Sequence, residues 1–270
     1  MLSAYLDESG IHEGADICVV SGYFGGENQW KKFDHHWTKI LRDYGVPELH
    51  SKQFWGRDKK GKRIGPYKDW DDAKAEKFLS KLVSVIEQAT AYPIASLVVV
   101  HDFLSFSYDE RRFLTGGGYL NGKFVSSGAP SKPYFVPFQH CILESVKYCK
   151  PGIKMNYYFD FNKVLSGYAQ DLYKIIVGWI QLTRDPAGRA LGEIGFPTGI
   201  QAPALQAADL LAYQTYQYRK TGTGERRHAM PHLLRQLLSK SKDNRDFVFY
   251  DRKTLILSLE DCPPSIRATF

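Results

Sequence analysis

Three acids stand apart in this 270-residue chain: Asp7, Asp160 and Asp209. Each lies in or beside an apolar run, where desolvating an unpaired carboxylate is costly. Asp7, followed by Glu8, closes the opening run Met1-Leu2-Ser3-Ala4-Tyr5-Leu6. Asp160 falls near the end of Lys154-Met155-Asn156-Tyr157-Tyr158-Phe159-Asp160-Phe161, and Asp209 sits within Leu205-Gln206-Ala207-Ala208-Asp209-Leu210-Leu211-Ala212. Taken alone, Asp7-Glu8-Ser9-Gly10 is also what a solvated turn looks like. Together the three acids read as the oxygen-donor set of a hard divalent cation. His50, in Glu48-Leu49-His50-Ser51-Lys52, adds a group that titrates near neutrality.

The elements that position these groups follow from periodicity. Met1 to Leu6 reads as a short strand running into the turn-like Asp7-Glu8-Ser9-Gly10, and Ile17 to Phe24 as a second strand. A helix over about 28–44 follows, with Trp30, Phe33, Trp37, Ile40, Leu41 and Tyr44 on its inner face. A second helix spans about 71–91, capped by Asp71 or Asp72. An apolar strand at 93–100 comes next, of the kind buried on both faces of a helix-covered sheet. A helix over about 136–149 leads to the strand that carries Asp160, where Asn156, Tyr158 and Asp160 share one face. Helices over about 168–182 and 204–219 flank a weak strand near 191–196, and the tail reads as helical to about 239. A strand pair at 247–250 and 254–259 closes the chain. On the 204–219 helix Gln206, Asp209 and Tyr213 share a face. Residues 51–70 read as a long surface loop and 102–133 as an insertion. With no internal repeat and no linker, residues 1–270 form one α/β domain.

No run nears the roughly 20 apolar residues of a membrane span. The N-terminus lacks a secretory pattern, which places the protein in the cytoplasm with free thiols at Cys18, Cys141, Cys149 and Cys262. The net charge of +7 is concentrated. Residues 51–70 hold seven cations (Lys52, Arg57, Lys59, Lys60, Lys62, Arg63, Lys68) against two acids. Residues 219–242 hold seven, including Arg226, Arg227 and Lys242, against Glu225. Such clustering fits a phosphate backbone, DNA or RNA, as well as it fits a solubilising surface.

The order of elements, with acids on the first strand, a later strand and a late helix, is close to the ground plan of the ribonuclease H-like fold. The sequence also resembles a prokaryotic family catalogued as domain of unknown function (DUF) 3800. The resemblance is carried by Tyr5-Leu6-Asp7-Glu8-Ser9-Gly10, Glu48-Leu49-His50, Tyr158-Phe159-Asp160 and Leu205 to Ala212. It implies a ribonuclease H-like mixed sheet flanked by helices, and a nuclease of the kind found near mobile-element or phage-defence genes. Phosphodiester hydrolysis by two metal ions fits these acids. Mg²⁺ or Mn²⁺ is the expected cofactor, with Asp7 as bridging ligand, Asp160 and Asp209 as flanking ligands, and Glu8 as second choice. Glu144 is a fallback ligand. His50 is expected to move a proton, Lys52 to hold a phosphate oxygen, and Gln206 to orient Asp209. Lys59, Lys60 and Arg63 are expected on the nucleic acid, and Ser9 and Gly10 are expected to shape a turn that lets substrate approach.

Two other classes compete. A binding module with an unused site would serve the basic and aromatic residues equally well. An ATPase of the related actin-like group would need glycine-rich phosphate loops; Gly116-Gly117-Gly118 lacks that setting.

Overall fold

A computed structural model describes residues 1–120, 123–126, 131–182, 190–221, 230–241 and 246–260. Glu225, Arg226, Arg227, Lys242 and Cys262 lie outside the described residues. Its centre is strand β1 (Leu2–Ser9), whose residues alternate between two differently covered faces. Ala4 and Leu6 point into one apolar cluster, while Tyr5 packs against another. β2 (Ile17–Gly26) returns antiparallel along β1, from Leu2↔Gly26 to Ser9↔Val19. A side chain at Gly22 would meet the Tyr5 carbonyl at 1.9 Å, so glycine is needed where the two strands approach.

Helix α1 (Glu27–Tyr44) buries Trp30, Phe33, Trp37 and Leu41, four positions of its apolar stripe. The Gly26 N–H donates to Gln29 Oε1 at 2.6 Å at its start, and Gly45 ends it in the left-handed region. α2 (Ser51–Trp55) and a 3₁₀ turn (Gly65–Tyr67) lead to α3 (Asp72–Ala89), where the Asp71 carboxylate accepts from the Lys74 N–H at 2.7 Å. The expected long loop at 51–70 is thus partly ordered. A bridge between Arg57 and Arg63 tightens it, and the fully buried Tyr67 anchors it.

β3 (Tyr92–Val99) pairs antiparallel with β2 and is buried along its middle. The 102–133 insertion supplies most of α4 (Val100–Leu104), then α5 (Tyr108–Leu114) and a hairpin of β4 (Gly117–Leu120) and β5 (Lys123–Ser126). α6 (Phe135–Ser145) is followed by β6 (Met155–Phe159), α7 (Ser166–Leu182), β7 (Leu191–Gly195) and α8 (Pro203–Thr221). α9 (His232–Leu237), β8 (Phe247–Tyr250) and α10 (Arg252–Ser258) complete the chain. The second strand expected at 254–259 is therefore helix α10. Asp251 caps it, accepting from the Thr254 N–H at 2.8 Å, and this local bond turns the chain away from a hairpin.

The sheet is mixed, in the order β7-β6-β1-β2-β3-β8, with β2 alone running against the others. Helices cover both faces. α6 and α7 pack on the side of Ala4 and Leu6, and α1, α3 and α8 on the side of Tyr5. The alanines of α8 are almost wholly buried, which lets that helix lie close across β1 and β2. No helix among the described residues is long and apolar enough to cross a membrane. Cys18, Cys141 and Cys149 are free thiols.

Candidate functional site: an acid-lined cleft at the end of β1

β1 continues through Asp7 and Glu8 to Ser9, so no turn begins at Asp7 as the sequence suggested. The two acids therefore point to opposite faces of the sheet. Parallel β6 runs beside β1 with Leu6 opposite Phe159, and the Asp160 N–H donates to the Leu6 carbonyl at 3.2 Å. Tyr5 and Tyr158, two positions earlier on each strand, stack with ring centres 5.0 Å apart. Asp7 and Asp160 follow them onto that same face, which is the face α8 covers.

Asp209 lies on α8 and has a partner from far away in sequence. The Ser51 backbone N–H, at the start of α2, donates to Asp209 Oδ2 at 2.6 Å. His50 Nδ1 stands 3.6 Å from the same oxygen, an ionic contact rather than a hydrogen bond. Asp7, Glu8, Asp160 and Asp209 line a cleft of about 500 Å³ together with Glu48, His50 and the 198–200 loop. No lysine or arginine is among the described residues lining it. Gly199 borders this cleft; a side chain there would meet Glu48 Oε2 at 3.6 Å.

The electrostatics follow from that crowding. Burial, then the charges of Glu8, Asp209 and Asp160, holds the Asp7 carboxyl well above the usual carboxylate range, although the Glu8 N–H donates to Asp7 Oδ1 at 2.8 Å. Burial likewise raises Glu8, against a hydrogen bond from Asn162 Nδ2 to its Oε1 at 3.0 Å. Burial raises Asp160, and Asp209 and Glu48 add to it, while the backbone N–H groups of Phe161 and Gly199 pull the other way. His50 moves up from its ordinary value, first through Asp209, and Glu48 and Asp160 reinforce the shift.

The donor set of carboxylate oxygens around a cation-poor cleft fits a hard divalent metal. Among the described residues, however, no group of three or more His, Cys, Asp or Glu side chains already forms a metal-holding cluster. The acids line the wall without meeting at one point. Mutual repulsion between carboxylates favours such separation.

Several expected site residues make other contacts or lie elsewhere, although Gln206 itself lines the cleft. Gln206 does not orient Asp209. Its Oε1 accepts from Trp37 Nε1 and from the Leu49 N–H, both at 2.8 Å, and its Nε2 donates to the Gly199 carbonyl at 2.9 Å. It thus clamps α1, the 48–51 segment and the 198–200 loop together. Arg63 is committed to the protein. It pairs with Asp72 at 2.6 Å, donates to the Phe54 carbonyl at 3.1 Å and lies over the Phe54 ring. Lys52, Lys59 and Lys60 are exposed and lie off the cleft lining. Ser9 belongs to β1, paired with Val19. Gly10, with φ +76°, makes room for the Ile17 carbonyl and the Tyr216 ring. Glu144 pairs with Lys147 at 2.5 Å and is absent from the cleft lining. Glu48 is the acid that residue-by-residue reasoning missed; its place beside Leu49-His50 was the available signal. Comparison of the chain with family models, with curated proteins and with solved structures found no match.

Proposed function

We propose that this chain is a divalent-metal-dependent nuclease of ribonuclease H-like architecture. The observation that carries the reading is the set of Asp7, Asp160 and Asp209 on the central first strand, at the end of its parallel neighbour and on a late helix, all lining one cleft with no lysine or arginine among its described lining residues. Carboxylates gathered in this way are relieved by taking up protons or by binding a cation. The motif resemblance and the first strand's place at the centre of a mixed sheet support the same architecture.

Asp7, Asp160 and Asp209 would hold the metal, with Glu48 and Glu8 at the margins. A bound Mg²⁺ or Mn²⁺ pair supplies an activated water and neutralises the charge of a phosphodiester. The chain's own groups do the positioning. The Ser51 N–H holds one oxygen of Asp209. His50, held more readily protonated by the acids beside it, is placed to give a proton to a leaving oxygen. Lys52, Lys59 and Lys60 stand on an exposed segment beside the site and suit a phosphate backbone.

A panel of labelled single-stranded, duplex and hybrid substrates in Mg²⁺ and Mn²⁺ tests the reading. Cleavage that disappears in EDTA and in Asp7→Asn and Asp209→Asn supports it. Cleavage that persists in either condition overturns it. Binding without cleavage in every metal favours the binding module instead.

A further inference from the structure

The acid cleft has a neighbour on the opposite side of β1. A second cavity of about 540 Å³ opens among the 10–15 loop, the start of α4, the approach to α6 and the 162–165 turn. Its size is that of a small-molecule site. Its walls are largely apolar, with Ile11, Val100, Leu104, Tyr134, Val164 and Leu165 among them. Three of these stand unusually exposed: Ile11 at 44%, Leu104 at 48% and Val164 at 58%. Aliphatic side chains gathered in water at one cavity mouth mark a contact surface. Polar groups at the same cavity come from His12, Glu13, Ser131, Lys132 and Asn162.

The two cavities share a wall. Ile11 lines both. Asn162 lines the apolar cavity and donates its Nδ2 hydrogen to Glu8 Oε1 at 3.0 Å, and Glu8 lines the acid cleft. A ligand spanning them needs a flat or apolar part at one end and an anionic, metal-binding part at the other. A peptide side chain supplies the first part without the second, and an inorganic phosphate the second without the first. A nucleotide supplies both.

We propose that the apolar cavity is a nucleoside subsite, taking the base and sugar of a nucleotide whose phosphate faces the acids. A base inside an intact duplex cannot enter such a cavity without leaving the stack. The preferred substrate is therefore a strand end or an unpaired nucleotide. Placing the phosphate rests on the metal-dependent reading above, whereas nucleoside binding does not.

Saturation-transfer NMR on the full chain separates the two. The probes are adenosine, uridine and ribose, then adenosine 5′-monophosphate and ribose 5-phosphate, each in EDTA and in Mg²⁺. The nucleosides are expected to receive saturation in EDTA where ribose does not. In Mg²⁺ the nucleotide should bind about tenfold or more tighter than ribose 5-phosphate, the range that stacking of one base provides. Val164→Asp and Leu104→Asp, both at exposed positions, should remove that gain. Asp209→Asn should keep the nucleoside signal and lose the Mg²⁺-dependent one. Equal saturation of nucleosides and ribose overturns the subsite, as does unchanged nucleoside binding in both rim variants. A dimer that both rim variants dissolve would assign the cavity to a second copy and overturn it too. Nucleoside binding without any gain from Mg²⁺ supports the subsite while removing the metal reading.

Discussion

The Ser51 backbone N–H donates to Asp209 Oδ2 at 2.6 Å across a sequence separation of 158 residues. This bond ties the basic 51–70 segment to the helix that carries an acid of the site. A hydrogen bond to an ionised acceptor contributes about 1.5–3 kcal/mol. Asp209→Asn keeps an acceptor in that place and should leave folding largely intact, whereas Asp209→Leu should lower stability by about 1.5–3 kcal/mol. Both should abolish metal-dependent cleavage. Urea unfolding beside a cleavage assay separates loss of chemistry from loss of fold.

Asp7→Asn should lose activity and gain stability at neutral pH. Burial and then the neighbouring acids raise the Asp7 carboxyl, so folding must either bury a charge or take up a proton, and the neutral amide avoids both. The gain expected is on the order of 1–3 kcal/mol, read as a few degrees in Tm. A variant less stable than the parent at pH 7.5 in EDTA would contradict this account.

The pH dependence has a definite sign. Asp7, Glu8 and Asp160 carry raised pKa values in the folded chain. Below the ordinary carboxylate range both folded and unfolded forms are protonated. As pH rises above about 4, the unfolded chain releases these protons first, so the cluster's contribution to stability falls until the folded values are passed. Mg²⁺ should reverse the loss, raising Tm more at pH 8 than at pH 5, with proton release on binding. The Asp7→Asn difference from the parent should be near zero at pH 3 and grow as pH rises. Calorimetry in two buffers of different ionisation enthalpy measures the protons.

Gln206→Leu should destabilise by about 2–4 kcal/mol, because it leaves the Trp37 and Leu49 N–H groups buried without their acceptor. It should also weaken activity without touching a ligand, since the same side chain holds the Gly199 carbonyl and thus the 198–200 loop. Thermal unfolding and cleavage rate together test this.

The basic segment divides into two kinds of residue. Lys59→Glu with Lys60→Glu should leave Tm within about 1 °C, as exposed charges contribute little to stability. The same change should weaken nucleic-acid affinity and flatten its salt dependence. Arg63→Ala should do the opposite, lowering stability through Asp72, the Phe54 carbonyl and the Phe54 ring. Fluorescence anisotropy across a salt series, run beside melting curves, distinguishes them.

Periodicity made the fold's centre legible. The aromatic stripe of α1, the apolar run of β3 and the alternation of Asn156, Tyr158 and Asp160 are each single-element patterns. The acids drew notice because a carboxylate among Leu and Ala is costly to desolvate, although a solvated turn at Asp7 and a helix start at Asp209 were the competing readings. Gln206 was misread because its role depends on Trp37, Leu49 and Gly199, three partners that no local pattern brings together. Arg63 looked like Lys59 and Lys60 in sequence; Asp72 and Phe54 set it apart only in three dimensions. Glu8 was tied to a turn that did not form, since pairing with Val20 extends β1 past it. The helix at 252–258 was taken for a strand because Ile and Leu alternate there, and the capping bond at Asp251 outweighed that alternation.

The acids reach the cleft from the two ends and the middle of the chain. During synthesis Asp7 is made first, and its neighbour Asp160 arrives only after β6 has been made and has docked beside β1. Asp209 comes later still, with α8. A chain growing from its N-terminus therefore spends most of its time on the ribosome without an assembled site, although its basic 51–70 segment is already present. The order of the elements means that the basic segment is made well before β6 and α8 can bring the three acids together.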